Sequence, residues 1–193
     1  MQSLVHDGET REYVLYVPAT YDGSEAYPVM FNFHANGDSA QNHFNYVDMT
    51  DLADMHGFIL VYPQGLPLGD DASHWNFDPV GGDNKSPVDD FGFFETLIDE
   101  LSNNYQIDND RFYAAGFSNG AVFAFGLACY QSENIAAIVS VSGSMSPSHG
   151  ENCNPQHPTP VMSIHGTADY AINYQGGIYL SMEEVTDYWT LFN

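Results

Sequence analysis

Phe112-Tyr113-Ala114-Ala115-Gly116-Phe117-Ser118-Asn119-Gly120, with the apolar run Ala121 to Cys129 behind it, is the stretch on which the fold turns. A short apolar strand leads into G-x-S-x-G and from there straight into a helix-forming segment. At such a junction the backbone turns sharply, and glycines leave room where side chains would collide. The serine oxygen is thereby lifted into the open at the helix N-terminus. Ser118 is the candidate nucleophile; the alternative is a serine that only caps the helix.

Outward from this junction, Pro28 to Phe33, Phe58 to Tyr62, Ala136 to Val141 and Pro160 to Ile164 are short runs, most of them too apolar to keep one face in water. Such runs are strands covered on both sides. Between them apolar residues recur at helical spacing. Leu52 and Met55, with the residues around Phe44 to Val47, precede Gly57, and Phe94, Leu97, Ile98 and Leu101 precede Tyr105. A last helix starts at the capping-box sequence Ser181-Met182-Glu183-Glu184 and carries Val185, Tyr188, Trp189 and Phe192 on one side. At the other end Leu4-Val5-His6 and Tyr13 to Val17 flank an Asp7-Gly8 turn, and Pro18 stops the second strand. The pattern predicts an α/β fold with a mostly parallel sheet flanked by helices and an N-terminal antiparallel hairpin. Ligands then belong at the carboxyl ends of the strands.

At about 150 residues per domain, 193 residues read as one domain, 1–193, and 44% hydrophobic residues suffice for a core. Three bases, Arg11, Lys85 and Arg111, stand against 26 acids, a net charge of −23. So few cations exclude nucleic acid as a partner, and the same charge repels an anionic membrane. No run of about 18 apolar residues could span a bilayer. A neutral or apolar substrate fits best. The acids are spread along the chain and read as a solvated surface. Cys129 and Cys153 are too few and too far apart for a metal site of the usual spacing, which leaves a disulfide or two buried thiols. No secretory leader is legible at Met1-Gln2-Ser3.

A nucleophilic serine needs donors for the oxyanion. The amide of Asn119 supplies one, and His34-Ala35-Asn36-Gly37, at the end of the Met30 to Phe33 strand, offers a second at Asn36. His34 itself reads as a structural histidine holding that bend. The triad acid should end a later strand, and Asp169, in His165-Gly166-Thr167-Ala168-Asp169 after Pro160 to Ile164, is so placed. His165 reads as packing locally. The chain order for such serines is Ser, then Asp or Glu, then His. The eight histidines are His6, His34, His43, His56, His74, His149, His157 and His165, and none follows Asp169. The expectation is therefore a C-terminally incomplete chain, with the last strand and its histidine missing and a sheet edge left bare. The alternatives are a substitute base from His74, His149 or His157, or a relative that binds without turnover. Asp89 and Asp90 read as a helix cap rather than an acid/base pair, and Asp108-Asn109-Asp110 as a turn rather than a calcium loop.

Taken together these segments resemble the secreted esterases that include polyhydroxybutyrate depolymerases, feruloyl esterases and acetyl-xylan esterases of carbohydrate esterase family 1. The resemblance runs through Arg11-Glu12-Tyr13-Val14-Leu15-Tyr16-Val17-Pro18, His34 to Gly37, Gly57 to Gly65, Trp75-Asn76, Val88 to Phe93, the serine junction, His165 to Asp169, Tyr174 and Gly176-Gly177. It implies an α/β-hydrolase fold and serine ester hydrolysis of polyester, feruloyl or acetyl esters, with no metal and no organic cofactor. It also implies export to the cell exterior or periplasm, pairing of Cys129 with Cys153, and a place near the cleft for Trp75 and Asn76, for which a core role is the alternative. Two departures stand out: Ala35 replaces the glycine usual after that histidine, and the Gly-His-x-Trp-Pro segment is missing.

Overall fold

Asp7 (φ 51°) and Gly8 (φ 81°) both adopt left-handed backbone, the conformation a two-residue hairpin demands, and they join β1 (Gln2–His6) to β2 (Glu9–Tyr16). The computed structural model describes residues 1–67 and 72–193. Beyond the hairpin, β3 (Tyr27–Phe33), β4 (Ile59–Pro63), β5 (Ile107–Phe117), β6 (Ala137–Val141) and β7 (Val161–Ile164) complete a sheet of order β1-β2-β4-β3-β5-β6-β7. β2 pairs antiparallel with β1 and β4, and every later pairing is parallel. This is the expected architecture.

Helices cover the two faces unequally. α1 (Ala40–Tyr46) and α2 (Thr50–His56) lie on one face against Val14, Leu60 and Tyr62. On the other, α3 (Asp90–Asn104), α4 (Asn119–Tyr130) and α6 (Met182–Phe192) pack over Phe31, Phe33, Phe112 and Ile138. The contacts there are largely aromatic: Phe31 meets Phe94 at 4.9 Å and Phe33 meets Phe123 at 5.0 Å, both edge to face. α4 is buried from Asn119 to Cys129, so its sequence shows no polar stripe. A disulfide joins Cys129, near the end of α4, to Cys153, which follows the short α5 (Pro147–Asn152). Over β7 the α1 side of the sheet is bare, with Met162 59% and Ile164 56% exposed.

Three details depart from the sequence reading. The helical pattern from Phe44 to Met55 is two helices, because Val47, Asp48 and Met49 leave helical geometry and the Asp48 side chain takes the Thr50 amide. β5 begins at Ile107, so Asp108-Asn109-Asp110 lies within a strand, where Asp108 accepts from the Asp110 amide and pairs with Arg111 at 2.6 Å. α5 is an added element. Pro147 and Gly150 hide it in the sequence, and a capping box of Ser146 with His149 secures its first turn.

Candidate active site

Ser118 sits between the end of β5 and the first residue of α4 at φ 54°, ψ −119°, a region that side chains other than glycine rarely enter. Its amide donates to the Val141 carbonyl of β6 at 3.0 Å, and its carbonyl accepts from Ala121 and Val122. The hydroxyl makes no capping bond to α4. A serine that only caps the helix is thereby set aside. The flanking glycines are required by contact. A Cβ on Gly116 would stand 2.2 Å from the Gly120 carbonyl oxygen, and one on Gly120 would stand 2.3 Å from the Phe33 oxygen and 2.6 Å from that of His34. The turn and the end of β3 therefore touch backbone to backbone.

That contact brings the loop after β3 beside the serine. His34 is fully buried and both its ring nitrogens are in use: Nδ1 donates to the Ala35 carbonyl at 2.7 Å, and Nε2 accepts the Gly65 amide at 2.9 Å. Burial holds its pKa below the ordinary histidine value, which keeps the ring neutral. In the loop the Gly37 amide is taken by the Ser73 carbonyl and that of Asp38 by Ala35, while Asn36 is exposed. As the first residue of α4, Asn119 has an amide with no acceptor within the helix.

The Asn119 side chain is a brace that the sequence reading missed. Its Oδ1 accepts from the Trp75 amide at 2.7 Å and its Nδ2 donates to the Trp75 carbonyl at 3.0 Å. Trp75 in turn donates through Nε1 to the His34 carbonyl and stacks on Phe123 with ring centroids 5.3 Å apart. Elbow, β3 loop and Trp75 are one bonded unit. Trp75 and Asn76 are 1% and 2% exposed. Asn76 gives its amide hydrogens to the Ser86 and Val88 carbonyls and its backbone N–H to Asp90. Both side chains are buried and hydrogen-bonded within the protein, the core position that was the alternative for Trp75.

Asp169 lies in the loop beyond β7. Its Oδ1 accepts from the Ala171 and Ile172 amides at 2.9 and 3.1 Å, and these bonds, Ile172 foremost, hold its carboxyl below the usual carboxylate range. A hydrogen bond from Ser142 adds to the effect. Ser142 follows the Val141 that binds the Ser118 amide and is itself strained at φ 49°, so the Asp169 and Ser118 loops are neighbours through the end of β6. Nothing in Ser-Gly at 142–143 signalled this; the next residue, Gly143, lies so close to α4 that a Cβ there would stand 2.3 Å from that of Ala121.

His165, His149 and His157 have both ring nitrogens engaged by other groups. The His165 side chain is shielded from solvent, with Nε2 2.7 Å from the Ile172 carbonyl, Nδ1 3.1 Å from that of Gly143, and Asp169 Oδ2 3.8 Å away. His149 is fixed between the Ser146 amide and the Phe77 carbonyl. His74 meets Ser86 and is buried. His157 contacts the carbonyls of Pro158 and Ser132, at the amino ends of β6 and β7 and so away from the serine. His43, on the buried side of α1, contacts Tyr46 through Nδ1 and lines an apolar cavity of about 210 Å³ with Ala115, Gly116 and Phe117.

Comparison with known proteins gives this geometry a family. NocK of Nocardia uniformis subsp. tsuyamanensis is 32% identical over 170 residues, 87% of this chain and 48% of NocK. Feruloyl esterase B of Piromyces equi is 28% identical over 172 residues, 87% of this chain and 31% of that protein. The chain thus spans half or less of the length of these relatives. Among solved structures, the acetyl xylan esterase from Aspergillus awamori superposes with a TM-score of 0.70 at 16% identity, over 84% of this chain and 69% of that one, a likeness of fold. Residues 26–189 match the phospholipase/carboxylesterase family model, a span that takes in the β3 loop, the Ser118 elbow and Asp169, and the chain belongs to that family.

Proposed function

We propose that the chain is the serine-bearing part of a carboxylic-ester hydrolase that works through an acyl-enzyme. The observation that carries this reading is Ser118, held at φ 54° by two glycines that cannot be replaced, its hydroxyl making no cap bond. In the proposed reaction Ser118 Oγ attacks the ester carbonyl carbon while a histidine takes its proton. The amides of Asn119 and Asn36 bind the oxyanion, the alcohol leaves with the proton, and water releases the acyl group by the reverse path. Asp169, kept ionised by its two amide donors, orients that histidine. With the rings of His34, His149 and His165 engaged, we assign the base to a histidine outside residues 1–193.

The net charge of −23 favours a neutral ester, and the relatives' names favour feruloyl or acetyl esters of plant polysaccharide, with a polyester of the polyhydroxybutyrate kind as the other candidate. The Cys129–Cys153 bridge supports a place outside the cell or in the periplasm. No helix among the described residues is long and apolar enough to cross a membrane.

Intact-mass spectrometry before and after treatment with a fluorophosphonate tests the reading. In the protein extended to carry that histidine, one adduct on the wild type and none on Ser118→Ala is expected. An unmodified wild-type chain would replace the hydrolase with its rival, a module that keeps the scaffold to bind esters without turning them over.

A further inference from the structure

We propose that His6, Asp7 and Asp89 form a site for a zinc-class divalent ion that fastens the first hairpin to the start of α3, apart from the serine. His6 ends β1, Asp7 opens the turn, and Asp89 caps α3 by accepting the Gly92 amide through Oδ1 at 2.9 Å, which leaves Oδ2 turned toward His6. His6 Nε2 lies 3.7 Å from Asp7 Oδ2 and 4.0 Å from Asp89 Oδ2.

The hydrogen bonds fix which imidazole nitrogen carries the lone pair. The Thr96 hydroxyl donates to the Gly92 carbonyl at 2.9 Å, so toward His6 Nδ1, also at 2.9 Å, it can only accept. In the neutral ring Nδ1 then holds the proton and Nε2 presents its lone pair, the place that either a second proton or a metal ion can take. That nitrogen is shielded from solvent and has no hydrogen-bond partner. A lone pair facing two carboxylates is repulsive unless a cation stands between them. A metal-bound histidine that donates its other N–H to a fixed acceptor is the usual way of setting ring and tautomer. Gly92 makes the approach possible, since a Cβ there would meet Asp89 Oδ2 at 2.5 Å and His6 Cε1 at 2.8 Å.

One imidazole nitrogen and two carboxylate oxygens suit zinc and its transition-metal neighbours better than calcium, which takes oxygen alone. Bonds of about 2.0–2.2 Å place tetrahedral ligands about 3.3 Å apart, so the His6 separations of 3.7 and 4.0 Å must shorten by about 0.4 and 0.7 Å, within reach of rotation of the Asp7 side chain. Water completes the coordination, and Glu9 lines the same cleft. Arg11, the cation that also lines it, is engaged with Asp90 at 2.7 Å. In the sheet order β1 lies four places from β5, roughly 19 Å at about 4.8 Å per strand. Activity at Ser118 and binding here are thus separable.

The untagged chain, stripped with a chelator and titrated with zinc chloride in a calorimeter near neutral pH, is expected to bind one equivalent. Saturation should raise its melting temperature by about 5 °C. The double variant Asp7→Asn/Asp89→Asn keeps a residue that tolerates positive φ at 7 and a capping oxygen at 89, so its fold is retained. It should lose at least about tenfold in affinity, together with the thermal shift. Absence of saturable heat in the wild type would mean that a proton fills the place, and the same heat and shift in the variant would put the zinc on other histidines. Either result overturns the site. Fluorophosphonate labelling of Ser118 should be alike in both proteins, so failure here leaves the hydrolase reading standing.

Discussion

Asn119 holds both main-chain groups of Trp75 from 44 positions away, and neither group reaches water. Asn119→Ala leaves a buried N–H and a buried C=O without partners, at about 1–3 kcal/mol for an unsatisfied group. A loss of about 3 kcal/mol in urea unfolding is expected, with slower acylation of Ser118 because the β3 loop is no longer pinned. A variant within about 0.5 kcal/mol of wild type would remove Asn119 from the brace. At this scale the chain was half legible. Ser118 and its glycines announce themselves, because a steric demand within five residues is written in those five residues. The Asn119 side chain and the strain at Ser142 are products of contact across the fold.

Between elements, the strongest polar tie joins β2 to α3. Arg11 donates to Asp90 at 2.7 Å with both side chains buried, and its guanidinium stacks over Phe93 at 3.8 Å. Burial pushes the Asp90 carboxyl above its ordinary value, and the Arg11 charge opposes that push. Arg11→Met alone leaves the carboxylate uncompensated and should cost about 3–5 kcal/mol. Adding Asp90→Asn should recover part of that loss, since the amide is neutral and its oxygen can still accept from the Asn76 amide. Guanidinium unfolding of the two variants measures the difference; a double variant weaker than the single one would show the pair to be worth more than its absence. The sequence placed these elements well and their partners poorly. Alternation of apolar runs with helical periodicity reveals strands and helices, because burial repeats along each of them. α5 has no such repeat, and Arg11 and Asp90 are joined only by folding.

For the whole molecule, buried histidines set the response to acid. Burial holds His34, His43 and His149 below the ordinary value, His43 at about 4. Unfolding returns them to about 6.5, so below that pH the unfolded chain binds protons that the folded chain refuses. Stability is complete above about pH 6.5 and is lost as pH falls toward 4, by up to about 1.4 kcal/mol per pH unit for each histidine. Free carboxyl groups protonate lower, at about pH 4, so the histidine effect belongs to the range above that. Scanning calorimetry at fixed ionic strength should show the melting temperature dropping from pH 7 to pH 5, less steeply in His43→Gln; a flat profile would mean that these rings are hydrated. The mostly parallel sheet and its antiparallel edge were readable at this scale, because few architectures accept that run of elements, whereas the order of its strands came only with the structure. The bare face over β7 was not, since exposure there depends on what α1 and α2 fail to reach.

The covalent bridge from Cys129 to Cys153 also gives the molecule a mechanical property. Tension applied through the two ends passes across the sulfurs and leaves the loop between them, a sequence separation of 24, slack. About 80 Å of contour, including β6 with its hold on the serine turn, is thereby withheld from any machine that unravels proteins by threading them from one end.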